Sequence, residues 1–169
     1  MKENEETPEK KKRGLPKGLK GFLIRAGIIA GAVIVFFCFF GIHVYHGNNM
    51  ITSLRDGEFV IVSKTSAPLA DRVIAYRADN ETRFARVVGL PGDKIEITKN
   101  KYTINGSVPT EQVFFDTRSE TEVHLNVPEN HVFVLNDHRE DERDSRTYGA
   151  IPYSDIKGVV IFTMARRGF

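Results

Sequence analysis

Residues Phe22–Tyr45 read FLIRAGIIAGAVIVFFCFFGIHVY, and no charged side chain interrupts the run between Arg25 and His43. At about 1.5 Å rise per residue, roughly 20 apolar residues cross the hydrocarbon core of a bilayer. Hydrocarbon offers backbone groups no hydrogen-bond partner, so a segment of this kind must satisfy them internally as a helix. The run therefore predicts a membrane anchor over 22–45, with a short tail over 1–21 and a folded domain over 46–169.

Charge is distributed unevenly about that anchor. Through His46 the chain carries eight Lys/Arg against four Glu, whereas the remainder carries 16 against 18 Asp/Glu. Basic residues crowding the amino-terminal flank predict a cytoplasmic tail and an extracytoplasmic domain at the cell membrane. The stretch after the run, Gly41-Ile-His-Val-Tyr-His46, is bulky and lacks a small-x-small cleavage site, so an uncleaved anchor is expected. Tail residues 1–20 have no periodic apolar positions.

Past the anchor the pattern is that of short strands. Glu58–Ser63, Arg72–Arg77, Thr82–Val88, Lys94–Thr98, Tyr102–Ile104, Asn130–Asn136 and Ile156–Met164 are rich in β-branched and aromatic residues, and turn signals separate them. Asp79-Asn80 and Asn105-Gly106 mark tight turns, and Gly89-Leu-Pro-Gly-Asp93 breaks a strand. Ser107–Val127 is polar and reads as an irregular insertion. The predicted fold class is mainly β: an antiparallel, sandwich or barrel-like domain after one transmembrane helix. The single cysteine, Cys38, lies inside the apolar run, so the domain has no disulfide, as suits a monoderm bacterial surface.

Four stretches occur in a recognisable order. They are Gly47-Asn-Asn-Met-Ile-Thr-Ser-Leu54, Asp56-Gly-Glu-Phe-Val-Ile-Val62, Arg86-Val-Val-Gly-Leu-Pro-Gly-Asp93, and Val134-Leu-Asn-Asp-His138 continuing to Asp144-Ser-Arg-Thr-Tyr-Gly149. In order and spacing they resemble the signature boxes of type I signal peptidases, membrane-anchored Ser/Lys endopeptidases. The resemblance covers 22–165 and implies a β-rich domain on the outer membrane face with its cleft near the bilayer. It also implies that Asp137, Asp144, Ser145 and Arg146 are structural members of the fourth box; a buried Asp144–Arg146 ion pair is a separate structural expectation.

The catalytic positions depart from that pattern. The family's first box reads G-x-S-M-x-P-T-L, and alignment on Gly47, Met50 and Leu54 puts the nucleophile position on Asn49. The family's general-base Lys precedes the Arg of R-V-x-G-L-P-G-D, and that position is Ala85, before Arg86. A Ser that orients the Lys falls on Glu142. An Asn amide nitrogen is delocalised into its carbonyl and does not attack a peptide carbonyl. An Ala methyl takes no proton, which removes a general-base contribution of about 10²–10⁴-fold. The resemblance is thus to catalytically degenerate Gram-positive members that serve as accessory proteins of sortase-dependent pilus assembly. It implies a chaperone or scaffold whose cleft (Asn48, Asn49, Met50, Ser53, Ala85 and Arg86) holds pilin subunits or the sortase.

Two alternatives remain open at this level. One is an active signal peptidase using a relocated dyad, Ser53 with Lys64, although a loop hydroxyl and a solvated strand-end lysine are the plainer reading. The other is a regulator of an active paralogue. No metal site or cofactor is expected, since no His, Cys or carboxylate cluster has zinc spacing, and His43 and His46 read as interfacial anchors. The mixed charges of Arg139–Arg146 read as a solvated loop rather than a nucleic-acid contact, and Arg166-Arg167 with Phe169 as a headgroup contact.

Overall fold

The computed structural model describes residues 17–99, 101–109 and 121–164. The amino-terminal tail up to residue 16, the middle of the predicted insertion, and the Arg166-Arg167-Phe169 end lie outside the described residues. The chain divides into two units, 1–36 and 37–169.

Helix α1 spans Lys17–Phe39, and its segment Gly18–Phe39 is long and apolar enough to cross a membrane. Its side chains are exposed on every face: Phe22, Ile24, Ile28, Ile29, Ile34 and Phe37 all stand at half or more of full accessibility. A helix apolar and exposed all round is consistent with a single-pass membrane anchor. The helix expected over 22–45 nevertheless stops at Phe39. Phe40–Val44 is strand β1, paired antiparallel with β2 (Phe59–Ser63) from Phe40 opposite Ser63 to Val44 opposite Phe59. Hydropathy cannot separate a membrane helix from an apolar strand that follows it directly; the ladder with β2 decides where one ends.

The other strands are β3 (Val73–Ala78), β4 (Glu81–Gly89), β5 (Lys94–Thr98), β6 (Lys101–Ile104), β7 (Val123–Asn126), β8 (His131–Leu135), β9 (Ile151–Pro152) and β10 (Ile156–Met164). They form a seven-stranded sheet ordered β1-β2-β10-β3-β4-β8-β9 and a three-stranded sheet ordered β6-β5-β7, with every pairing antiparallel. The mainly β expectation holds. Strand β7 lies inside the stretch read as irregular: its VHLN has only four residues, two of them exposed, too short for a periodic signal. A one-turn helix α2 (Ser145–Tyr148) precedes β9.

Turn chemistry fixes the registers. Asp79 and Asn80 both take positive φ (51° and 60°) and join β3 to β4 with Ala78 opposite Glu81, the backbone a two-residue hairpin needs. Alternation along the strands then divides the core. Ile74, Tyr76, Ala85, Val87, Val132 and Val134 bury on one face, while Ala75 and Phe84 join Tyr45, Met50, Leu54, Val60 and Val62 on the other. In β8, Phe133 and Leu135 bury into a third cluster with Ile95 and Ile97, so this strand is covered on both faces. Gly89 sits where the sheets meet. A Cβ there would lie 2.8 Å from Ile95 Cδ1 and 3.0 Å from Phe133 Cβ, so any side chain would force these neighbours to shift.

Candidate functional site

Three segments converge beside β4: the turn after β1 (46–56), the edge of β4 itself, and the loop 136–149 that carries α2. Strand β4 pairs with β8 only from Arg86 onward, so on that side Glu81–Phe84 have no strand partner among the described residues.

Asn49 lies against this free edge. Its Nδ2 donates to the Phe84 carbonyl at 2.9 Å and to Asn136 Oδ1 at 2.8 Å, and its Oδ1 accepts from Tyr45 Oη at 2.6 Å. Tyr45 Oη in turn accepts from the Met50 amide at 2.9 Å, and the Asn49 carbonyl accepts from the His138 amide at 2.9 Å. Both amide hydrogens and the amide oxygen are therefore used. Burial comes first among the causes that raise the Tyr45 phenol to about 12, so it stays protonated as Asn49's donor. Asn49 thus braces the turn, β4 and the 136–149 loop together.

Ala85, the position expected for the base, follows Phe84, whose carbonyl accepts from Asn49. Its methyl is fully buried with Ile74, Tyr76, Val87 and Val134. Glu142, expected at the Lys-orienting position, accepts from Thr121 Oγ1 at 2.5 Å and stands 3.5 Å from Arg146 Nη1.

Arg86 organises the far side of the turn. Its Nε and Nη2 donate to the two oxygens of Asp137 at 2.8 and 2.9 Å, a fork-on-fork pairing, and Nη1 donates to the Asp71 carbonyl at 2.8 Å. Asp137 Oδ2 also accepts from Thr52 Oγ1 and Ser53 Oγ, each at 2.6 Å. Burial alone would raise the Asp137 pKa, but the bonds from Arg86, Ser53 and Thr52 outweigh it and hold the carboxyl below its ordinary 3.8. The Asp137 amide donates to the sulfur of buried Met50 at 3.4 Å.

This arrangement bears on the relocated dyad. Ser53 donates to Asp137 and accepts from Arg86 Nη2 at 2.6 Å, so its partners are a carboxylate and a guanidinium. Lys64 donates instead to the Phe37 carbonyl at 2.7 Å. His43 and His46 do not share a helix face: His43 lies in β1 against the Phe84 ring (6.2 Å), and His46 stands 3.6 Å from Asp56.

The loop 136–149 is held by a buried pair. Arg146 Nη2 and Nε donate to Asp144 at 2.7 and 3.0 Å, and Asp144 also accepts from the Asn136 amide and caps α2 through the Arg146 amide. Arg146 then ties the carbonyls of Arg139 and Asp141, and Ser145 Oγ accepts from the Val134 amide. A carboxylate at a first helical turn that also pairs with an arginine two residues on is self-contained, so both charges bury.

Residues 19–165 match the family described as signal peptidase, peptidase S26. The chain belongs to that family. Signal peptidase I of Bacillus caldolyticus is 30% identical over 142 residues, covering 73% of this chain and 78% of the relative. Proteins named inactive signal peptidase IA in Staphylococcus aureus are 29% identical over 145 residues, covering 78% and 83%. A solved signal peptidase I from Enterococcus faecalis V583 is 24% identical with a TM-score of 0.49, covering 57% of this chain and 98% of that one.

Within the signal peptidase family this site carries four residues that motif reading alone passes over: Tyr45, Arg83, Asn136 and Asp141. Tyr45 stands at the end of the apolar run, and Asn136 lies inside the fourth quoted stretch, where the sequence reading assigns it no role. Arg83 and Asp141 line a cavity of about 340 Å³ beside Asn49, bounded by Tyr45–Asn49, Glu81–Phe84, Asp141 and Arg143. Asn48 opens onto this cavity, whereas Ser53 and Arg86 belong to the Asp137 network.

Proposed function

We propose that this signal peptidase-family chain is a non-catalytic membrane protein that acts as chaperone or scaffold in sortase-dependent pilus assembly. Its tail faces the cytoplasm, and its β domain works outside the membrane. The observation that carries the reading is the state of the two catalytic positions. Asn49 is a fully bonded brace and Ala85 a buried methyl, so neither a nucleophile nor a base stands at the cleft. Removing one member of such a unit costs nearly as much as removing all of them. The free edge of β4 and the adjoining cavity offer backbone and side-chain contacts to an extended segment of a pilin or the sortase. The relatives named inactive signal peptidase support the loss of cleavage, and the spare edge supports retained binding.

Two measurements test this. Deleting the gene shortens or abolishes pilus polymers if the reading is right; polymer length and amount unchanged overturns it. Full-length protein in lipid-detergent micelles, offered a Gram-positive pre-protein beside an active signal peptidase, gives no new amino terminus by mass spectrometry. Cleavage that Ser53→Ala abolishes would overturn the non-catalytic reading and make Ser53 the nucleophile. The double reversal Asn49→Ser with Ala85→Lys then asks what the cleft admits, since restored cleavage means that signal peptides still enter.

A further inference from the structure

Two lysines of the large sheet have no carboxylate partner among the described residues. Lys64 follows β2; its Nζ donates to the Phe37 carbonyl at 2.7 Å and its amide to the Phe39 carbonyl at 2.9 Å. Lys157 of β10 is half-buried, and its Nζ donates to Thr82 Oγ1 at 2.5 Å. These acceptors are neutral, whereas Arg77, Arg86, Lys94 and Arg146 are each paired with an Asp or Glu. The ladder brings the two lysines together. Ser63 stands opposite Phe40 on one side and Val159 on the other, which sets Lys64 beside the start of β1 and close to Lys157. His43 completes the group. Its ring folds back towards Gly41, where a Cβ would lie 3.2 Å from Nε2, and it meets the Phe84 ring edge-on. Its ring nitrogens make no hydrogen bond among the described residues. Burial first, then the charges of Lys157 and Lys64, hold the imidazole below its ordinary 6.5.

Chain continuity sets the depth of this cluster. The apolar span closes at Phe39, and Lys64 is bonded to two carbonyls of its last turn. At about 3.3 Å per residue, His43 lies no more than roughly 13 Å along the chain from Phe39. The headgroup layer on each side of a bilayer is about 5–8 Å deep, and a lysine stem adds to that reach. We propose that His43, Lys64 and Lys157 form a site for the phosphate of an anionic lipid headgroup in the leaflet next to the β domain. The phosphate oxygens accept from both ammonium groups and from the imidazole N–H, supplying the negative charge that the cluster lacks.

The test is an NMR titration of the full-length protein, isotope-labelled at its histidines, in neutral maltoside micelles. The probes are dioctanoylphosphatidylglycerol, dioctanoylphosphatidylcholine and inorganic phosphate. His46, beside Asp56, reports any general charge on the micelle. Phosphatidylglycerol moves the His43 signal saturably and leaves that of His46 in place, and the choline lipid and inorganic phosphate each need at least roughly fivefold more. Lys64→Gln and Lys157→Gln each weaken the effect of phosphatidylglycerol by roughly fivefold, the scale of one basic residue near an anionic surface. Thermal unfolding confirms that each variant is folded. An unmoved His43 signal, or His43 and His46 moving together, overturns the site. Inorganic phosphate acting at the same concentration as phosphatidylglycerol overturns the lipid assignment and leaves a site for free phosphate.

Discussion

Asn49 shows how much one side chain can brace. A serine at this position has one hydroxyl, whereas the carboxamide reaches Phe84, Asn136 and Tyr45 at once. Asn49→Ser therefore costs about 1–3 kcal/mol, the scale of leaving buried partners unsatisfied, read as a lower denaturant midpoint. Reversal of the nucleophile alone thus weakens the fold and, without a base at position 85, yields no cleavage. Asp137 makes a second prediction. Asp137→Asn leaves Arg86 facing a neutral group and costs roughly 3 kcal/mol, as loss of one partner of a buried pair does. The sign with pH follows from the lowered carboxyl. Its stabilisation is fully present above the unfolded value of 3.8 and is lost as pH falls below that through the folded pKa. Acid titration of unfolding shows that loss in the native chain and a smaller one in Asp137→Asn.

At the scale of elements, the junction at Gly89 and the apolar face of β1, β2 and β10 make separate demands. Gly89→Ala forces a methyl against Ile95 and Phe133, and such overpacking costs about 1–3 kcal/mol, visible as a lower melting temperature. On the outer face, Val44 and Met164 both stand opposite Phe59, and Ile42 and Phe162 both stand opposite Ile61. Phe59, Phe162 and Met164 are each exposed at half or more. Clustered apolar side chains of this kind mark a contact surface. Phe59→Ser and Phe162→Ser leave the unfolding midpoint within about 0.5 kcal/mol, since neither side chain is in the core, and reduce liposome or partner association of the domain.

For the whole molecule, the strands with long alternating patterns were legible in advance. Glu58–Ser63, Lys94–Thr98 and Ile156–Met164 differ from the observed β2, β5 and β10 by at most their first residue. Asp79-Asn80 was legible because only a few residues tolerate two consecutive positive φ values. Elements too short to hold a period, β7 and β9, were not, and β1 was absorbed into the helix because strand and membrane span are equally apolar. At the site, the box motifs locate Asn49, Ala85, Asp137 and Arg146, since those residues are tied to fixed spacings. What each one touches lay outside any spacing: Asn49 meets Phe84 and Asn136, which are 35 and 87 positions away. Composition and periodicity are local and set which segments become helix or strand, and motif spacing carries family. The brace at Asn49 and the closed Asp137–Arg86–Ser53 network depend on which distant segments the antiparallel ladder brings side by side. Hydrogen bonds act only at contact distance, so the tertiary structure alone decided them.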